Sequence, residues 1–146
     1  MAIFSRHAVL EWTGEVSEGA GSVTAGTDAF AVAVTFPSTT GEAPGKTTPE
    51  ELFAASHATC YGIGLRSLIA RSGGRARRVS VTATITAEKG PQGIRIQSSH
   101  LSGEVEALEG IDHAKLQEIA EDTRERCTIS VAIEGSVAIT HDIVAR

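Results

Sequence analysis

Residues 47–74 have the sequence TTPEELFAASHATCYGIGLRSLIARSGG, and this stretch predicts a central helix. Thr48 is a favoured N-cap, Pro49 suits the first helical position, and Glu51 completes a capping box. Apolar and small side chains then occur almost all round the cylinder, so we expect the helix to be buried on most sides. The Ser-Gly-Gly sequence at 72–74 predicts its end.

The chain before this helix is predicted to be rich in β-structure. Residues 5–13 and 30–36 have the alternating or β-branched character of strands. Residues 14–28 are rich in Gly, Ser and Thr, which indicates hairpin turns. Residues 37–48 contain two prolines and two glycines without periodicity, so we expect an irregular loop there.

The chain after the helix predicts a β-hairpin. Apolar residues alternate strictly over 79–87, which is typical of a half-buried strand. The turn sequence GPQG follows at 90–93, and residues 94–108 predict a second, longer strand. Gly103 within that strand suggests a β-bulge.

A second helix and a β tail complete the predicted fold. The helix runs from its N-cap Asp112 to about Arg126, and residues 129–144 are strand-like with a break at Gly135. One helical stripe is expected to be buried, and it comprises Leu116, Ile119, Ala120, Thr123 and Cys127. This order of elements predicts an α+β fold.

Length and composition favour a single domain over residues 1–146. The formal net charge of −5 argues against a nucleic-acid partner, and the basic cluster at 75–78 is interpreted as a solvated turn. No apolar run is long enough for a membrane span, and no signal peptide is recognised, so we expect a cytoplasmic protein. The cysteine and histidine spacing predicts no metal site.

The chain has two cysteines, Cys60 and Cys127, each predicted on the buried side of a helix. Their thiols could meet, but buried cysteines are often only packing. His57, three residues before Cys60, is either a core histidine or a catalytic one. Glu50 is either a helix-dipole carboxylate or a site residue. It precedes Cys60 by about 15 Å of helix, so contact requires a bent helix or a dimer.

Residues 45–65, GKTTPEELFAASHATCYGIGL, resemble the signature of the OsmC family of osmotically inducible proteins and organic hydroperoxide resistance proteins. The family pattern is T/N-x-P-E-E-L-x-A-A-x-H-A-x-C, and His57 favours the OsmC branch. The resemblance continues through the hairpin and the second helix to RERCTIS at 124–130, which is similar to the family's second-cysteine motif. It covers nearly the whole chain.

The resemblance implies the OsmC-like fold: antiparallel sheets, a long buried central helix and a second amphipathic helix in an intertwined homodimer. It implies a thiol-dependent peroxidase of the oxidative stress response that reduces organic hydroperoxides and, more weakly, hydrogen peroxide. Cys60 is then the peroxidatic thiolate, Cys127 the resolving cysteine and Glu50 a polar active-site partner. The implied reductant is a lipoyl or thioredoxin-like dithiol, with no cofactor, metal, nucleic acid or membrane partner.

Two positions depart from the family pattern. The family's loop arginine is missing from the sequence Pro-Ser-Thr-Thr at 37–40, and Cys127 is followed by Thr128 where the family has proline. Lys46, Arg6 or a residue of a partner chain could supply the missing cation. Two alternatives therefore stay open: a non-catalytic small-molecule-binding or redox-sensing dimer of the same fold, and a structural protein with two inert core cysteines.

Overall fold

A computed structural model describes residues 1–35 and 45–146. The chain divides into two compact units, Met1–Pro49 and Glu50–Arg146. The expectation of a single domain over the whole chain stays a prediction.

The first unit contains a three-stranded antiparallel sheet in the order β1-β2-β3, with β1 at Ala8–Thr13, β2 at Ala20–Ala25 and β3 at Ala31–Val34. The two outer strands confirm the prediction, but β2 lies where turns were expected. Its sequence of small residues carries a weak strand signal, and pairing with a neighbour on each side overrides that local preference.

The segment between β3 and the central helix was predicted to be an irregular loop. Residues 36–44 lie outside the described residues, and with them the Pro-Ser-Thr-Thr sequence in which the family arginine is missing. Thr47 forms a parallel bridge with Val34, and its N–H donates to the carbonyl oxygen of Ala33 at 2.7 Å.

Helix α1 is Pro49–Arg71, and all of it after Pro49 belongs to the second unit; its predicted start and end are confirmed. Two hydrogen bonds close its last turn, because the Gly74 N–H donates to the Ile69 carbonyl and the Gly73 N–H donates to that of Ala70. Gly73 has a φ of 84°, the left-handed conformation that this helix end requires.

The expectation that α1 is buried on most sides is wrong for the described chain. A single stripe with a four-residue spacing is buried, comprising His57, Tyr61, Leu65 and Ile69. On the opposite side the Ile63 side chain is 68% exposed. The apolar composition all round the helix therefore exceeds what this chain covers by itself.

The sheet of the second unit has the order β4-β5-β6, formed by β4 (Arg78–Gly90), β5 (Gly93–Glu106) and β6 (Ala138–Ala145). The predicted hairpin β4–β5 is antiparallel, whereas β6 pairs parallel to β5. The bulge expected at Gly103 is wrong, since the register shifts between Thr86 and Ala87. A Cβ at Gly103 would lie 2.8 Å from Ile143 Cδ1 and 3.3 Å from the Ser80 carbonyl oxygen, so Ile143 packs closely over this glycine.

Helix α2, His113–Arg126, confirms the second predicted helix. The carboxylate of Asp112 caps it by accepting a hydrogen bond of 2.8 Å from the Lys115 N–H. The predicted stripe is buried, and it comprises Leu116, Ile119, Ala120, Thr123 and Cys127.

A short third helix, α3 at Thr128–Ile133, overturns the first half of the predicted β tail, while β6 confirms the second half. The alternating Ile129, Val131 and Ile133 gave the strand signal. The chain instead turns again directly after α2, and the Val131 N–H donates to the Cys127 carbonyl at 2.9 Å. Tertiary packing that buries Ser130 on this turn outweighs the β-propensity.

Helix α1 packs against both the second sheet and α2. A Cβ on Gly62 would lie 3.6 Å from Val81 Cγ2 of β4, and a Cβ on Gly64 would lie 3.3 Å from Thr123 Cγ2 of α2. The Tyr61 hydroxyl donates to a carbonyl of α2 at 2.9 Å. These contacts hold Cys60 close to the end of α2. The mixed helices and sheets confirm the α+β class.

None of the helices in the described ranges is long and apolar enough to cross a membrane.

Candidate functional site

The structure brings the two cysteines together. Cys60 lies half-buried on α1, and Cys127 is 5% exposed at the junction of α2 and α3. Both are free thiols, and Cys60 packs against the apolar core that contains Cys127. The sequence left open whether these thiols meet, and in the folded chain they are hydrogen-bonded to each other.

The two thiols differ in their surroundings. Burial raises the pKa of the Cys127 thiol, and the hydrogen-bonded Cys60 thiol raises that pKa further. The backbone N–H and hydroxyl of Ser130 act in the opposite direction because they favour the thiolate. Cys127 is therefore a protonated, enclosed thiol at neutral pH, whereas Cys60 is the thiol that solvent reaches.

His57 is fully buried beside this pair and both of its ring nitrogens have partners. Nδ1 lies 2.7 Å from the Ser99 hydroxyl of β5, and Nε2 lies 2.8 Å from the Ser130 hydroxyl of α3. Burial lowers the pKa of His57, so the imidazole is neutral at pH 7. The side chain is thus a core histidine with its hydrogen bonds satisfied, one hydroxyl away from Cys127.

Sequence reasoning missed both serines. Ser99 lies on β5, a strand in which buried and exposed residues alternate, and Ser130 follows Cys127 by three residues. That spacing could have indicated Ser130 had a helical turn been expected after Cys127.

Glu50 lies apart from the cysteine pair along α1. It occupies the first turn of an unbroken helix, ten residues before Cys60, which corresponds to about 15 Å along the axis. Its Oε2 atom is buried and has no hydrogen-bond partner among the described residues. The structure does not bring Glu50 to Cys60 within one α1.

A second polar cluster, which was not predicted from the sequence either, lies against the ring of Tyr61. His141 stacks on the Tyr61 ring with centroids 6.3 Å apart, and its Nε2 lies 2.9 Å from Glu121 Oε2. Arg124 donates two hydrogen bonds to Glu121 Oε1, at 3.0 and 2.5 Å. Arg124 and then His141 hold the pKa of Glu121 at about 2. Because Arg124 is engaged here, it is not a free cation for the thiols.

The fold and the adjoining thiols define a two-cysteine protein of the α+β class. The chain belongs to the OsmC-like protein family, whose profile matches residues 40–142. This result confirms the family that the signature at 45–65 indicated.

Individual relatives agree with the family. Peroxiredoxin OsmC of Escherichia coli is 25% identical over 132 residues, which cover 90% of this chain and 92% of that protein. The structure of an organic hydroperoxide resistance protein OsmC from Legionella pneumophila has a TM-score of 0.77 at 22% identity, with 98% of both chains covered. An organic hydroperoxide resistance protein from Elizabethkingia anophelis has a TM-score of 0.79 at 20% identity, with 99% of both chains covered. The two structures show that the fold is shared.

Proposed function

We propose that this protein is a thiol-dependent peroxidase that reduces organic hydroperoxides and, more weakly, hydrogen peroxide. The observation that carries the proposal is the contact between the half-exposed Cys60 thiol and the buried Cys127 thiol. The Cys60 thiolate attacks the O–O bond, releases the alcohol and becomes a sulfenic acid. Cys127 then displaces the hydroxyl as water and forms a disulfide.

The environments of the thiols support this division of roles. A peroxidatic cysteine must be reached by its substrate, and Cys60 is the more exposed of the pair. A resolving cysteine must lie next to the sulfenic acid but need not meet peroxide, and the enclosed Cys127 has that position. The names of the relatives, peroxiredoxin and organic hydroperoxide resistance protein, support the same reaction.

Return of the disulfide to two thiols needs a dithiol reductant of the lipoyl or thioredoxin-like kind. Such a reductant exchanges thiolate for disulfide without a metal or an organic cofactor. We propose that the cycle operates in the cytoplasm, where dithiol reductants keep cysteines reduced.

We further propose that the chain works as a homodimer. Ile63 is 68% exposed in the middle of α1, and the first sheet exposes Val9, Leu10 and Val32. A second copy is the occupant that fits, because the two apolar surfaces are present on every chain and would be covered reciprocally. The predicted role of Glu50 as an active-site partner belongs to this dimer, since its buried Oε2 needs a donor.

The cation that would hold Cys60 as a thiolate also belongs to this dimer proposal. The stretch 36–44, which includes the positions of the missing family arginine, has no Lys or Arg in its sequence. We propose that a basic residue of the partner chain, or Lys46 or Arg6, takes this part. Charge reversal at Lys46 and Arg6, one at a time, tests which it is: the cation's loss should slow sulfenic acid formation at Cys60.

The test of the proposed function is turnover of cumene hydroperoxide and of hydrogen peroxide with a dithiol reductant. Wild type should consume the organic peroxide faster than hydrogen peroxide. Cys60→Ser should consume the organic peroxide at least a hundredfold more slowly than wild type. Cys127→Ser should give one fast turnover and then stop or slow, because its sulfenic acid has no partner in the chain. Equal turnover by wild type and Cys60→Ser would contradict the proposal.

A non-catalytic redox-sensing dimer is the second candidate. Two observations favour it, the raised pKa of Cys127 and the sequence of 36–44 without a basic residue. It predicts that one equivalent of peroxide oxidises Cys60 slowly, and that excess reductant gives no sustained turnover. Steady turnover over many cycles would exclude it.

A further inference from the structure

A chain of buried polar side chains leads from the Cys127 thiol into the core. The Ser130 hydroxyl forms a hydrogen bond with that thiol, and the same hydroxyl lies 2.8 Å from His57 Nε2. On the other side of the ring, Nδ1 lies 2.7 Å from the Ser99 hydroxyl. All four side chains are 5% exposed or less. The order thiol, hydroxyl, imidazole, hydroxyl is therefore built by α1, β5 and α3 together and is shielded from water.

When His57 is neutral, the hydrogen atoms of this chain have two consistent arrangements, one for each tautomer of the ring, and a relay uses the tautomer with its proton on Nδ1. Nδ1–H donates to the Ser99 oxygen, which leaves Nε2 as an acceptor. The Ser130 hydroxyl donates to Nε2, so its oxygen is free to accept from the Cys127 S–H. A proton that leaves Cys127 thus has a continuous path to an imidazole nitrogen.

The chemistry of disulfide formation needs such a path. Only a thiolate attacks a sulfenic acid at a useful rate, and burial keeps Cys127 as a thiol at neutral pH. The titratable groups that interact with it from α1 are Cys60 and Tyr61. Burial and Glu121 raise the pKa of Tyr61, and its hydroxyl donates to Ala120, so Tyr61 is not a base.

We propose that Ser130 and His57 form a proton relay that activates Cys127 for attack on oxidised Cys60, an inference that rests on the proposed function. The Cys127 proton moves to the Ser130 oxygen while the Ser130 proton moves to His57 Nε2. The Cys127 sulfur then bonds to the Cys60 sulfur and expels hydroxide. The expelled hydroxide becomes water by taking up the proton that His57 returns through Ser130. The sum is thiol plus sulfenic acid giving disulfide plus water, with Cys127 oxidised and Cys60–OH reduced.

His57 and Ser130 are positioning and relay residues in this scheme, because neither touches the peroxide. The surroundings of His57 suit the role. In the described part of the chain its ring faces Phe53, with centroids 6.4 Å apart, and the two serine hydroxyls. These neighbours carry no charge, so the imidazole can gain a proton only transiently.

The experiment separates the two chemical steps in the full-length, reduced protein. One equivalent of cumene hydroperoxide is added, Cys60 sulfenic acid is trapped with dimedone at successive times, and disulfide is measured from the loss of the Cys127 thiol. The variants are Ser130→Ala and His57→Gln, with Ser130→Thr as the conservative replacement. Thr123→Val is the matched control, since Thr123 is a buried hydroxyl of α2 that donates to Ile119 and lies outside the relay.

We expect sulfenic acid formation to stay within about threefold of wild type in every variant. Disulfide formation should slow at least tenfold in Ser130→Ala and His57→Gln, and Ser130→Thr should recover most of the rate. Equal disulfide rates in wild type, Ser130→Ala and His57→Gln would overturn the relay. Neither sulfenic acid nor disulfide in wild type would instead refute the proposed function, so the two failures are distinguishable.

A pH profile distinguishes a relay from a purely structural role. With the relay, disulfide formation should change little between pH 6.5 and 8.5, because neutral His57 accepts the proton throughout this range. In Ser130→Ala the proton must leave to solvent, so the rate should rise about tenfold per pH unit below the raised pKa of Cys127. Parallel profiles for the two proteins would also overturn the relay. Circular dichroism spectra confirm that each variant is folded before its rates are compared.

Discussion

The two sheets of this protein differ in how far their apolar side chains are buried. The sheet β4-β5-β6 is covered by helices of its own unit, and side chains such as Leu101 and Val105 are fully buried. The sheet β1-β2-β3 exposes Leu10 at 59% and Val9 at 50%. Apolar strands with no cover of their own are stable only when something else packs on them. The second unit thus builds its core, and its cysteine pair, from one chain, whereas cover for the first sheet belongs to the proposed homodimer.

The largest loss of stability that this comparison predicts is for a substitution at Leu65 of α1, which is fully buried. Leu65→Ala should lower the free energy of unfolding by about 2–5 kcal/mol, since it leaves a cavity in the second unit. The matched variant in the first sheet, Leu10→Ala, should cost less than about 1 kcal/mol when the protein is dilute, because little area is lost. Urea unfolding at several protein concentrations measures both. Equal losses in dilute protein would remove the distinction between the sheets.

The next largest loss of stability is expected at the buried polar residues in the core of the second unit. His57→Leu leaves the buried hydroxyls of Ser99 and Ser130 without their partner and should cost about 1–3 kcal/mol at pH 8. The folded pKa of His57 is lowered, so the unfolded chain binds the proton more readily. Wild type should therefore lose stability as the pH falls below 6.5, and the gap between wild type and variant should narrow. Urea unfolding at pH 5 and pH 8 checks this; a gap that widens at pH 5 would contradict the burial argument.

A third prediction addresses the surface that α1 leaves open. Ile63→Asp should barely change the stability of the dilute chain, because Ile63 is 68% exposed. It should raise the dimer dissociation constant at least tenfold, which is about 1.4 kcal/mol. Val131→Asp, at a 54% exposed position of α3, is the control and should leave the dimer intact. Sedimentation velocity reports both. Unchanged association of Ile63→Asp would show that α1 is not the covered face.

The smallest effect is expected at Glu121, whose side chain is 47% exposed. Glu121→Gln should cost less than about 1 kcal/mol at pH 7, since solvent screens the contacts with Arg124 and His141. The pKa of Glu121 is lowered from 4.5 to about 2, so its contribution is complete above pH 4.5 and lost as the pH falls through 2. Thermal unfolding between pH 2 and 7 measures the difference from wild type. Glu118→Gln on the same helix, a 67% exposed carboxylate paired with Lys115, provides the matched control.

Much of the fold is predictable because its signals are local. The ends of α1 follow from Pro49 and from the glycines at 73–74, and α2 follows from Asp112 and one apolar stripe. The hairpin follows from strict alternation on both sides of residues 90–93. Each of these features depends on residues close together in the sequence, so the pattern alone predicts it.

The features that sequence missed depend on contacts between distant residues. Helix α3 forms in a β-branched segment because the chain turns at Cys127, and β2 forms because it has a neighbour on both sides. Gly103 faces Ile143 of another strand, which no local pattern reveals. The hydroxyls that partner His57 come from β5 and α3, 42 and 73 residues away along the chain. The contact between Cys60 and Cys127 likewise joins residues that are far apart in the sequence.

The most direct test of the central claim is mass spectrometry of the reduced protein after one equivalent of cumene hydroperoxide, digested without reductant. We predict a linked pair of peptides that contains Cys60 and Cys127, with the loss of two hydrogen atoms, within one chain. In Cys127→Ser the dimedone adduct should instead be found on Cys60. Two unmodified thiols after exposure to the peroxide, or a disulfide only between chains, would contradict the account.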